Sequence, residues 1–337
     1  MTHFQVLLLD VHEPDQLAWA QDLAGPLGLD LTAPLTTGQD ELLGLLPAAE
    51  GLVVHHRPAT AEVIGAASHL RFIQKYGGRR DGIDTDTARQ RGIGVATMPL
   101  AGAVAVAEHA LALVLACAKK IVPAHQLTAT GAYRNLGIQP AVTSERSHGF
   151  QWMKIPALEE LSGLTMGIFG FGDIGNEVAR RALAFGMRVL YYKRTPLPAD
   201  LEAELDVAYA PMDDLLRQAD FLVLTSPLTP ETEKAIGERE LSLMKPTAYL
   251  VNVSRGGVVD EPALAAALRE HRIAGAGLDV FVQEPIPYDH PFLTLDNVTL
   301  TPHIAGGKGG ARQRQMLAVL ENLARYARGE SCLHRIV

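Results

Sequence analysis

Arg255, Glu284 and His303 are the side chains whose types and positions in this sequence best suit chemistry. Each follows a short apolar run, at the place where a buried strand would end. A guanidinium can hold a carboxylate anion, and a histidine can give a proton to an oxygen that gains negative charge. A neighbouring carboxylate can orient that histidine and keep it protonated near neutral pH. Taken singly, each residue has an ordinary alternative: an ion-paired surface arginine, a glutamate at a helix start and a loop histidine after a proline.

Apolar runs alternate with helical stretches along almost the whole chain, which predicts parallel strands covered on both faces by helices. The predicted strands of the first hundred residues are 5–10, 51–54 and 70–74. Six more are predicted at 165–169, 188–192, 221–224, 248–252, 275–279 and 298–300, and a last helix at 311–328. Six strands interleaved with helices match a doubly wound sheet, in which ligands lie outside the carboxyl ends of the strands. The three candidate residues would therefore face one crevice.

Residues 170–175 form a GxGxxG motif that directly follows a predicted strand and opens a helix predicted over 176–185. In this context the first glycine permits a tight turn, the second lets backbone N–H groups approach a pyrophosphate, and the third lets the helix pack closely on its strand. The helix N-terminus adds partial positive charge for the phosphates. The motif predicts a dinucleotide site made by Gly170, Phe171, Gly172, Asp173, Ile174 and Gly175.

The cofactor's ribose would meet Lys193, Arg194 and Thr195, about 20 residues after the motif. A carboxylate at this place accepts hydrogen bonds from the ribose hydroxyls of NAD, and none stands here. Two cations and a hydroxyl suit a 2′-phosphate, because arginine binds phosphate bidentately and lysine adds charge. The sequence therefore favours NADP(H), while NAD(H) stays open because both cations are also typical of a solvated surface.

Length and composition predict a cytoplasmic α/β protein of two domains. The chain has 337 residues, a net charge of −8 and only two cysteines, Cys117 and Cys332. The charge disfavours nucleic acid or anionic lipid as a partner, and the cysteines allow neither a disulfide scaffold nor a zinc motif, so no metal is expected. The longest apolar stretch, 101–118, contains Glu108 and His109 near its middle. A bilayer disfavours such a pair, so a buried or interfacial helix is expected and no membrane partner.

Taken together, these motifs resemble the D-isomer-specific 2-hydroxyacid dehydrogenase family, in particular its glyoxylate and hydroxypyruvate reductases. The resemblance spans nearly the whole chain, through segments 107–109, 170–175, 227–232, 252–257, 279–285 and 302–304. It implies two doubly wound parallel-sheet domains. Residues 1–100 and 305–337 would form a flavodoxin-like substrate domain, and 101–304 an inserted Rossmann NAD(P)-binding domain that begins with a dimerisation helix. A homodimer is implied as well.

The resemblance also implies a role for each matching residue. Arg255 would bind the substrate carboxylate and polarise its carbonyl, His303 would be the general acid–base, and Glu284 would orient His303. Asp279 would contact the nicotinamide end of the cofactor. The remaining positions that would contact the cofactor are Ser226, Pro227, Thr232, Val253, Ser254, His303 and Gly306.

Two segments depart from the family pattern. In the first domain the substrate would be held by Lys75, Gly77, Gly78 and Arg79, and Arg79 stands where the family has a glycine. We hypothesise that Lys75, Arg79 or both recognise a second anionic or strongly polar group, the alternative being that Arg79 and Arg80 point to solvent. Segment 133–158 is longer than its family equivalent. It would either cover the partner subunit's active site or serve as an arm that stabilises the dimer.

The predicted function is reduction of a small 2-oxo acid such as glyoxylate or hydroxypyruvate with NADPH. Phosphite dehydrogenases keep the same three residues and stay an alternative, whereas formate dehydrogenases carry glutamine where this chain has Glu284. A second alternative is a corepressor that resembles these enzymes and uses the dinucleotide domain as a binding module. No basic or low-complexity tail follows Gly329, which disfavours the corepressor.

Overall fold

The computed structural model describes residues 3–144, 150–307 and 310–337. They form two compact units, the first made of Met1–Val104 with Lys308–Val337 and the second of Ala105–Gly307. Each unit contains one sheet, and every strand pair in both sheets is parallel, as the apolar runs predict. The assignment of 1–100 with 305–337 to substrate binding, and of 101–304 to the cofactor, stays a prediction.

The sheet of the first unit has the strand order β2-β1-β3-β4-β5, which is the flavodoxin-like order. Its strands are β1 (Phe4–Leu8), β2 (Leu29–Thr32), β3 (Gly51–Val54), β4 (Phe72–Lys75) and β5 (Gly94–Ala96). Its helices are α1 (Pro14–Ala24), α2 (Gln39–Leu45), α3 (Ala61–Ala66), α4 (Thr85–Gln90) and, from the end of the chain, α12 (Ala311–Ala327). The sequence did not predict β2 and β5, which are the two edges of this sheet.

The chain after α12 returns to β5 and pairs with it. Ile336 donates its N–H to the carbonyl of Val95 at 2.8 Å, and Ala96 and Arg335 form an antiparallel bridge. The fully buried amide of Asn322, on α12, holds this return in place. Its nitrogen donates to Gln74 Oε1 at 2.6 Å and to the Leu333 carbonyl, and its oxygen accepts from the Leu333 N–H at 2.7 Å.

The second unit has the strand order β12-β11-β10-β9-β6-β7-β8, which is that of a Rossmann sheet with one strand added beyond the last. Its strands are β6 (Thr165–Phe169), β7 (Arg188–Tyr192), β8 (Ala208–Tyr209), β9 (Phe221–Leu224), β10 (Tyr249–Asn252), β11 (Gly275–Leu278) and β12 (Val298–Leu300). Its helices are α6 (Ile121–Ala129), α7 (Asp173–Ala184), α8 (Ala199–Leu205), α9 (Met212–Gln218), α10 (Glu238–Leu243) and α11 (Glu261–Arg269), and α5 (Ala101–Ala118) leads into it. Six strands were predicted and seven are present, because β8 is only two residues long.

Helix α5 is the one helix among the described residues that is long and apolar enough to cross a membrane. A buried core helix passes the same test, and 44% of α5 is buried in the protein. Its inner face, which includes Leu113, Val114 and Cys117, packs in one apolar cluster with Ile168 of β6. Burial raises the pKa of the Cys117 thiol to about 11.

We expect Asn322→Ala to lower the free energy of unfolding of the first unit by about 2–4 kcal/mol, because it leaves the buried Gln74 amide oxygen and the Leu333 backbone without these partners. Urea denaturation followed by circular dichroism measures the change. Gln313→Ala, on the exposed face of the same helix, is the control and should change the midpoint little. Equal midpoints for both variants would show that the amide does not hold the tail.

Candidate active site

The GxGxxG segment lies at the point where the strand order of the second sheet reverses, between β6 and β9. Gly170 has φ +93°, and a Cβ on it would lie 2.5 Å from the backbone nitrogen of Ser226. A side chain is therefore excluded both by the backbone conformation and by the neighbouring loop. Thr225 closes the contact with a hydrogen bond from its hydroxyl to the Gly170 carbonyl.

The other two glycines of the motif have opposite surroundings. A Cβ on Gly175 would lie 2.6 Å from the Gly170 carbonyl oxygen, so this glycine lets α7 pack against the end of β6. A Cβ on Gly172 would have nothing within 4 Å. Gly172 precedes the first residue of α7, so there is space for an anion beside the N-terminus of this helix. Helix α7 begins at Asp173 rather than at the predicted residue 176.

Among the described residues, two buried polar atoms near this loop have no hydrogen-bond partner. They are Ser226 Oγ and Asn176 Oδ1, on side chains only 6% and 2% exposed. Buried polar groups are normally satisfied, and an unsatisfied one calls for a ligand or water. The Ser226 hydroxyl can donate to a phosphate oxygen and, with the space beside Gly172, fits a phosphate-bearing cofactor, whereas the amide oxygen of Asn176 only accepts and needs a donor such as water. The Phe171 ring is buried against Tyr191, 4.4 Å between centroids, and so is not available to a ligand.

The remaining predicted cofactor residues differ in exposure. Lys193 is half-buried, whereas Arg194 and Thr195 are exposed after the end of β7. Pro227 is exposed, and the Thr232 hydroxyl donates to its carbonyl at 2.6 Å, which fixes the loop after β9 from within. The buried positions are Val253 and Ser254, while Ile174 is half-buried and Gly306 is exposed.

Arg255 follows β10 and is exposed, with its Nη1 donating to the Ser254 carbonyl at 2.6 Å. Its backbone is held by the buried side chain of Asn252, which donates to the Arg255 carbonyl and accepts from Ser254. A Cβ on Gly256 would lie 2.0 Å from the Phe281 carbonyl carbon. The loops after β10 and β11 therefore meet backbone to backbone, and only glycine fits. Sequence reasoning did not single out Asn252, which holds the loop, or Gly256, which allows the close backbone contact. Their positions three residues before and one residue after Arg255 are the signal that could have found them.

Glu284 and His303 are hydrogen-bonded to each other at this edge of the sheet, with 2.6 Å between Oε2 and Nδ1. They come from the loops after β11 and β12, which are neighbouring strands. Glu284 Oε1 also accepts from the Phe281 N–H at 3.0 Å. Burial works to raise the pKa of Glu284, but the hydrogen bonds from His303 and Phe281 outweigh it, and the net shift is downward. Since Glu284 is then ionised at neutral pH, Nδ1 of His303 is the donor and Nε2 faces outward.

Asp279 is fully buried at the end of β11, and its carboxylate lies among protein donors. Oδ1 accepts from the Thr301 hydroxyl at 2.6 Å and from the Ile304 N–H at 3.0 Å, and Oδ2 accepts from the Ala305 N–H at 2.9 Å. His109 Nε2 lies 3.2 Å from Oδ1. The carboxylate thus braces the loop that carries His303, and its contact with the nicotinamide stays a prediction.

In the first unit, Lys75 and Arg79 are both buried, 8% exposed. Lys75 Nζ donates to the His55 carbonyl at 2.8 Å, and Arg79 makes a bidentate pair with Asp81. Arg79 therefore does not point to solvent. Gly77 pairs with Met98 through two backbone hydrogen bonds, and Gly78 is half-buried beside it. The role of these four residues in substrate binding stays a prediction.

The segment 133–158 contains a short 3-10 turn at its start and, in its described part, no helix or strand after that. Val142 and Phe150 are among its most exposed apolar side chains, while Trp152 packs edge-on against Tyr133. Residues 145–149 lie outside the described residues. In the described part of the chain, no group of three or more His, Cys, Asp or Glu is placed to hold a metal ion.

Comparison with known proteins agrees with this geometry. Residues 111–305 match the family model described as D-isomer specific 2-hydroxyacid dehydrogenase, NAD binding domain. The chain is 44% identical over 270 residues to the glyoxylate reductase of Thermococcus gammatolerans, covering 80% of this chain and 77% of that one. A glyoxylate reductase structure from Paecilomyes thermophila covers 100% of the chain and 99% of its own at 29% identity and a TM-score of 0.55. D-lactate dehydrogenase from Aquifex aeolicus, solved with NAD and lactic acid, covers 96% of each chain at 29% identity and a TM-score of 0.52.

A nicotinamide-dependent oxidoreductase is the class that this fold and these matches define. The chain belongs to the D-isomer-specific 2-hydroxyacid dehydrogenase family. Its reaction is the NAD(P)-dependent interconversion of 2-hydroxy acids and 2-oxo acids, which acts on the CH–OH group.

The lowered pKa of Glu284 makes a pH-dependent contribution to stability. A carboxylate whose pKa falls on folding stabilises the protein above its ordinary value of 4.5, and this stabilisation is lost as the pH falls through the folded value. The side chain is 36% exposed, so solvent screening limits the effect to less than about 1 kcal/mol. We expect Glu284→Gln to lower Tm at pH 7 by at most about 3 °C. Asp289→Asn, exposed on the same loop, is the control.

The difference in Tm between Glu284→Gln and the unaltered protein should close when both are scanned well below pH 4.5. Scanning calorimetry at the two pH values measures it. A Tm difference that persists or grows in acid would contradict a stabilising ionised Glu284.

Proposed function

We propose that the chain is a reductase of glyoxylate or a closely related small 2-oxo acid, with His303 as the acid–base and NADPH as the preferred cofactor. The 2.6 Å contact between Glu284 and His303 carries this proposal. It lies at the carboxyl edge of the sheet, and Arg255 follows the adjacent strand. The glyoxylate reductases to which the chain is 44% identical support the choice of substrate.

Reduction of a 2-oxo acid creates negative charge on the carbonyl oxygen beside a carboxylate that is already charged. In the proposed mechanism Arg255 pairs with that carboxylate, because a guanidinium offers two parallel N–H donors. His303 gives a proton from Nε2 to the carbonyl oxygen as charge develops there. Glu284 accepts the hydrogen bond from Nδ1, so the imidazole presents Nε2 to the substrate. In the reverse direction His303 takes the hydroxyl proton back.

When bound, the cofactor would supply the hydride that the carbonyl carbon receives. The residues that would hold the cofactor are the backbone around Gly172 and the partnerless Ser226 Oγ for its phosphates and adjoining ribose, with Val253, Ser254 and Gly306 nearer the acid–base residues. Asp279 would act at the nicotinamide end. Lys193, Arg194 and Thr195 would bind the 2′-phosphate, since no carboxylate follows β7 to prefer a free ribose hydroxyl.

We further propose a cytoplasmic homodimer that uses α5. The exposed apolar side chains after it, among them Ile121 and Leu127 of α6, support an interface. The described part of segment 133–158, with Phe150 85% exposed, supports an arm that reaches beyond its own subunit. In the first unit, Lys75, Gly77, Gly78 and Arg79 are proposed to form the loop that binds the substrate. The Gly77 N–H already donates to the Met98 carbonyl, and the Lys75 and Arg79 side chains already pair with the His55 carbonyl and with Asp81.

We expect the purified protein to oxidise NADPH when glyoxylate is added, and His303→Gln to lower kcat by about 100- to 10,000-fold. The affinity for NADPH, measured by fluorescence titration, should change by less than threefold. The control is His290→Gln, because His290 is a loop histidine 3.4 Å from its own carboxylate, Glu261, and is not among the site residues. The assay includes hydroxypyruvate, pyruvate and phosphite.

Tight NADPH binding without turnover of any 2-oxo acid would overturn the proposed substrate class. Equal losses of kcat in His303→Gln and His290→Gln would overturn the role of His303.

The cofactor preference has its own test. We expect Lys193→Ala combined with Arg194→Ala to lower the ratio of kcat/KM for NADPH to that for NADH by about 10- to 100-fold, the effect of losing charged hydrogen bonds to one phosphate. Arg188→Ala is the control, since it removes a cation at the other end of the same strand, β7. An unchanged ratio in the double variant would show that these residues do not select the 2′-phosphate.

A further inference from the structure

His303 has a backbone conformation that its residue type does not favour. Its φ is +54°, in the left-handed region, which is strained for a residue with a side chain. Such a conformation persists only where the surroundings determine it. Here Asp279 holds the backbone of His303 in this conformation, because it contacts the loop on both sides of His303.

Asp279 holds this loop with its backbone and its carboxylate together. The Asp279 carbonyl accepts from the His303 N–H at 2.9 Å. The carboxylate accepts from the two following N–H groups, of Ile304 and Ala305, and from the hydroxyl of Thr301, two residues before His303. A carboxylate that is fully buried needs all its lone pairs occupied, since each unsatisfied one costs free energy.

One more hydrogen-bond donor to the Asp279 carboxylate comes from α5. His109 Nε2 lies 2.9 Å from Thr301 Oγ1 and 3.2 Å from Asp279 Oδ1. Thr301 has one hydroxyl proton and gives it to Asp279, so Thr301 can only accept from His109. Nε2 of His109 must therefore carry the proton, and it is shared between Thr301 and Asp279.

Helix α5 is fixed next to this network from the other side. Glu108 pairs with Arg181 of α7 at 3.3 Å, and Arg181 also pairs with the buried Glu177 at 2.7 Å. The apolar face of α5 is packed against the sheet. His109 is only 17% exposed and has little room to move.

We propose that His109 and Thr301 are positioning residues for the acid–base: they complete the hydrogen bonds of Asp279, which holds His303 where Nδ1 reaches Glu284. They act through Asp279 and not on the substrate. The inference rests on the proposed role of His303. It gives His109, which the sequence presents as part of segment 107–109 and as an argument against a membrane helix, a function in the reaction.

The test compares kcat, KM and cofactor affinity in four variants. His109→Leu and Thr301→Val each remove one link, and we expect kcat to fall about 10- to 100-fold, as displacements near 1 Å do at reacting groups. KM for glyoxylate and the dissociation constant of NADPH should change by less than threefold. His109→Gln and Thr301→Ser are the conservative variants, since the Gln amide nitrogen can take the place of Nε2 and Ser keeps the hydroxyl. Both should restore kcat to within about threefold of the unaltered enzyme.

The double variant gives the sharpest outcome. If both residues act through Asp279, His109→Leu with Thr301→Val should lower kcat little further than either alone, because the network is broken once. Lys119→Gln, exposed directly after α5, is the control for general disturbance of the helix and should leave kcat unchanged. Circular dichroism and Tm of each variant establish that it is folded.

Three results would overturn the inference. The first is a multiplicative loss in the double variant, and the second is an effect on KM or on NADPH affinity with kcat unchanged. The third is a large loss in His303→Gln together with normal kcat in both single variants, which would defeat this inference alone. Normal kcat in His303→Gln would instead defeat the proposed function on which it rests.

Discussion

The carboxyl edge of the seven-stranded sheet is held together where backbone meets backbone. At Gly170 the loop after β6 touches the loop after β9, and at Gly256 the loop after β10 touches the loop after β11, each closer than a Cβ would allow. Parallel strands set neighbouring loops only about 4.8 Å apart, so side chains at these two points would push the loops away from each other. The start of α7 and the loop that bears Arg255 both depend on that closeness.

Along this edge, the groups that shape the loops differ in burial from the groups that would carry the chemistry. Groups that shape the loops, such as Asn252 and Asp279, are fully or almost fully buried and have protein partners. The groups that would meet the substrate, Arg255, Glu284 and His303, are exposed at the ends of the same loops. A buried polar group must have fixed partners, whereas a group that binds and releases a ligand must be reachable. The structure thus separates rigid support from accessible chemistry within a few residues of chain.

Much of this arrangement is accessible from the sequence, and the exceptions have a common cause. The central strands were predicted because parallel strands covered on both faces are continuous apolar runs. The missed strands, β2, β5 and β8, are all sheet edges of two to four residues, with one neighbour to satisfy and little apolar area to bury. The start of α7 was placed three residues late, because the end of the glycine motif was taken as loop although it forms the first turn of the helix.

In the site, residue types and loop positions could be predicted, but contacts could not. The juxtaposition of Glu284 and His303 follows from neighbouring strands, whereas the left-handed backbone of His303 depends on Asp279, 24 positions earlier in the chain. The pairing of Arg79 with Asp81, two residues away, also lay outside what the motif could show. The sequence shows that a side chain is charged, but it shows neither how buried the side chain is nor which group it pairs with. Burial and pairing together decide what the side chain can bind.

The return of the chain to β5 has a consequence for behaviour in concentrated solution. An uncovered strand edge offers a row of free N–H and C=O groups that can template pairing with another molecule. Here Val95 has its edge-facing groups occupied by Ile336 and Val337, so this edge of the first sheet is closed by the protein's own backbone. If these few residues detached from β5, they would expose an apolar strand edge that is far in sequence from the acid–base residues. Self-association of the enzyme would then be expected before any loss of activity.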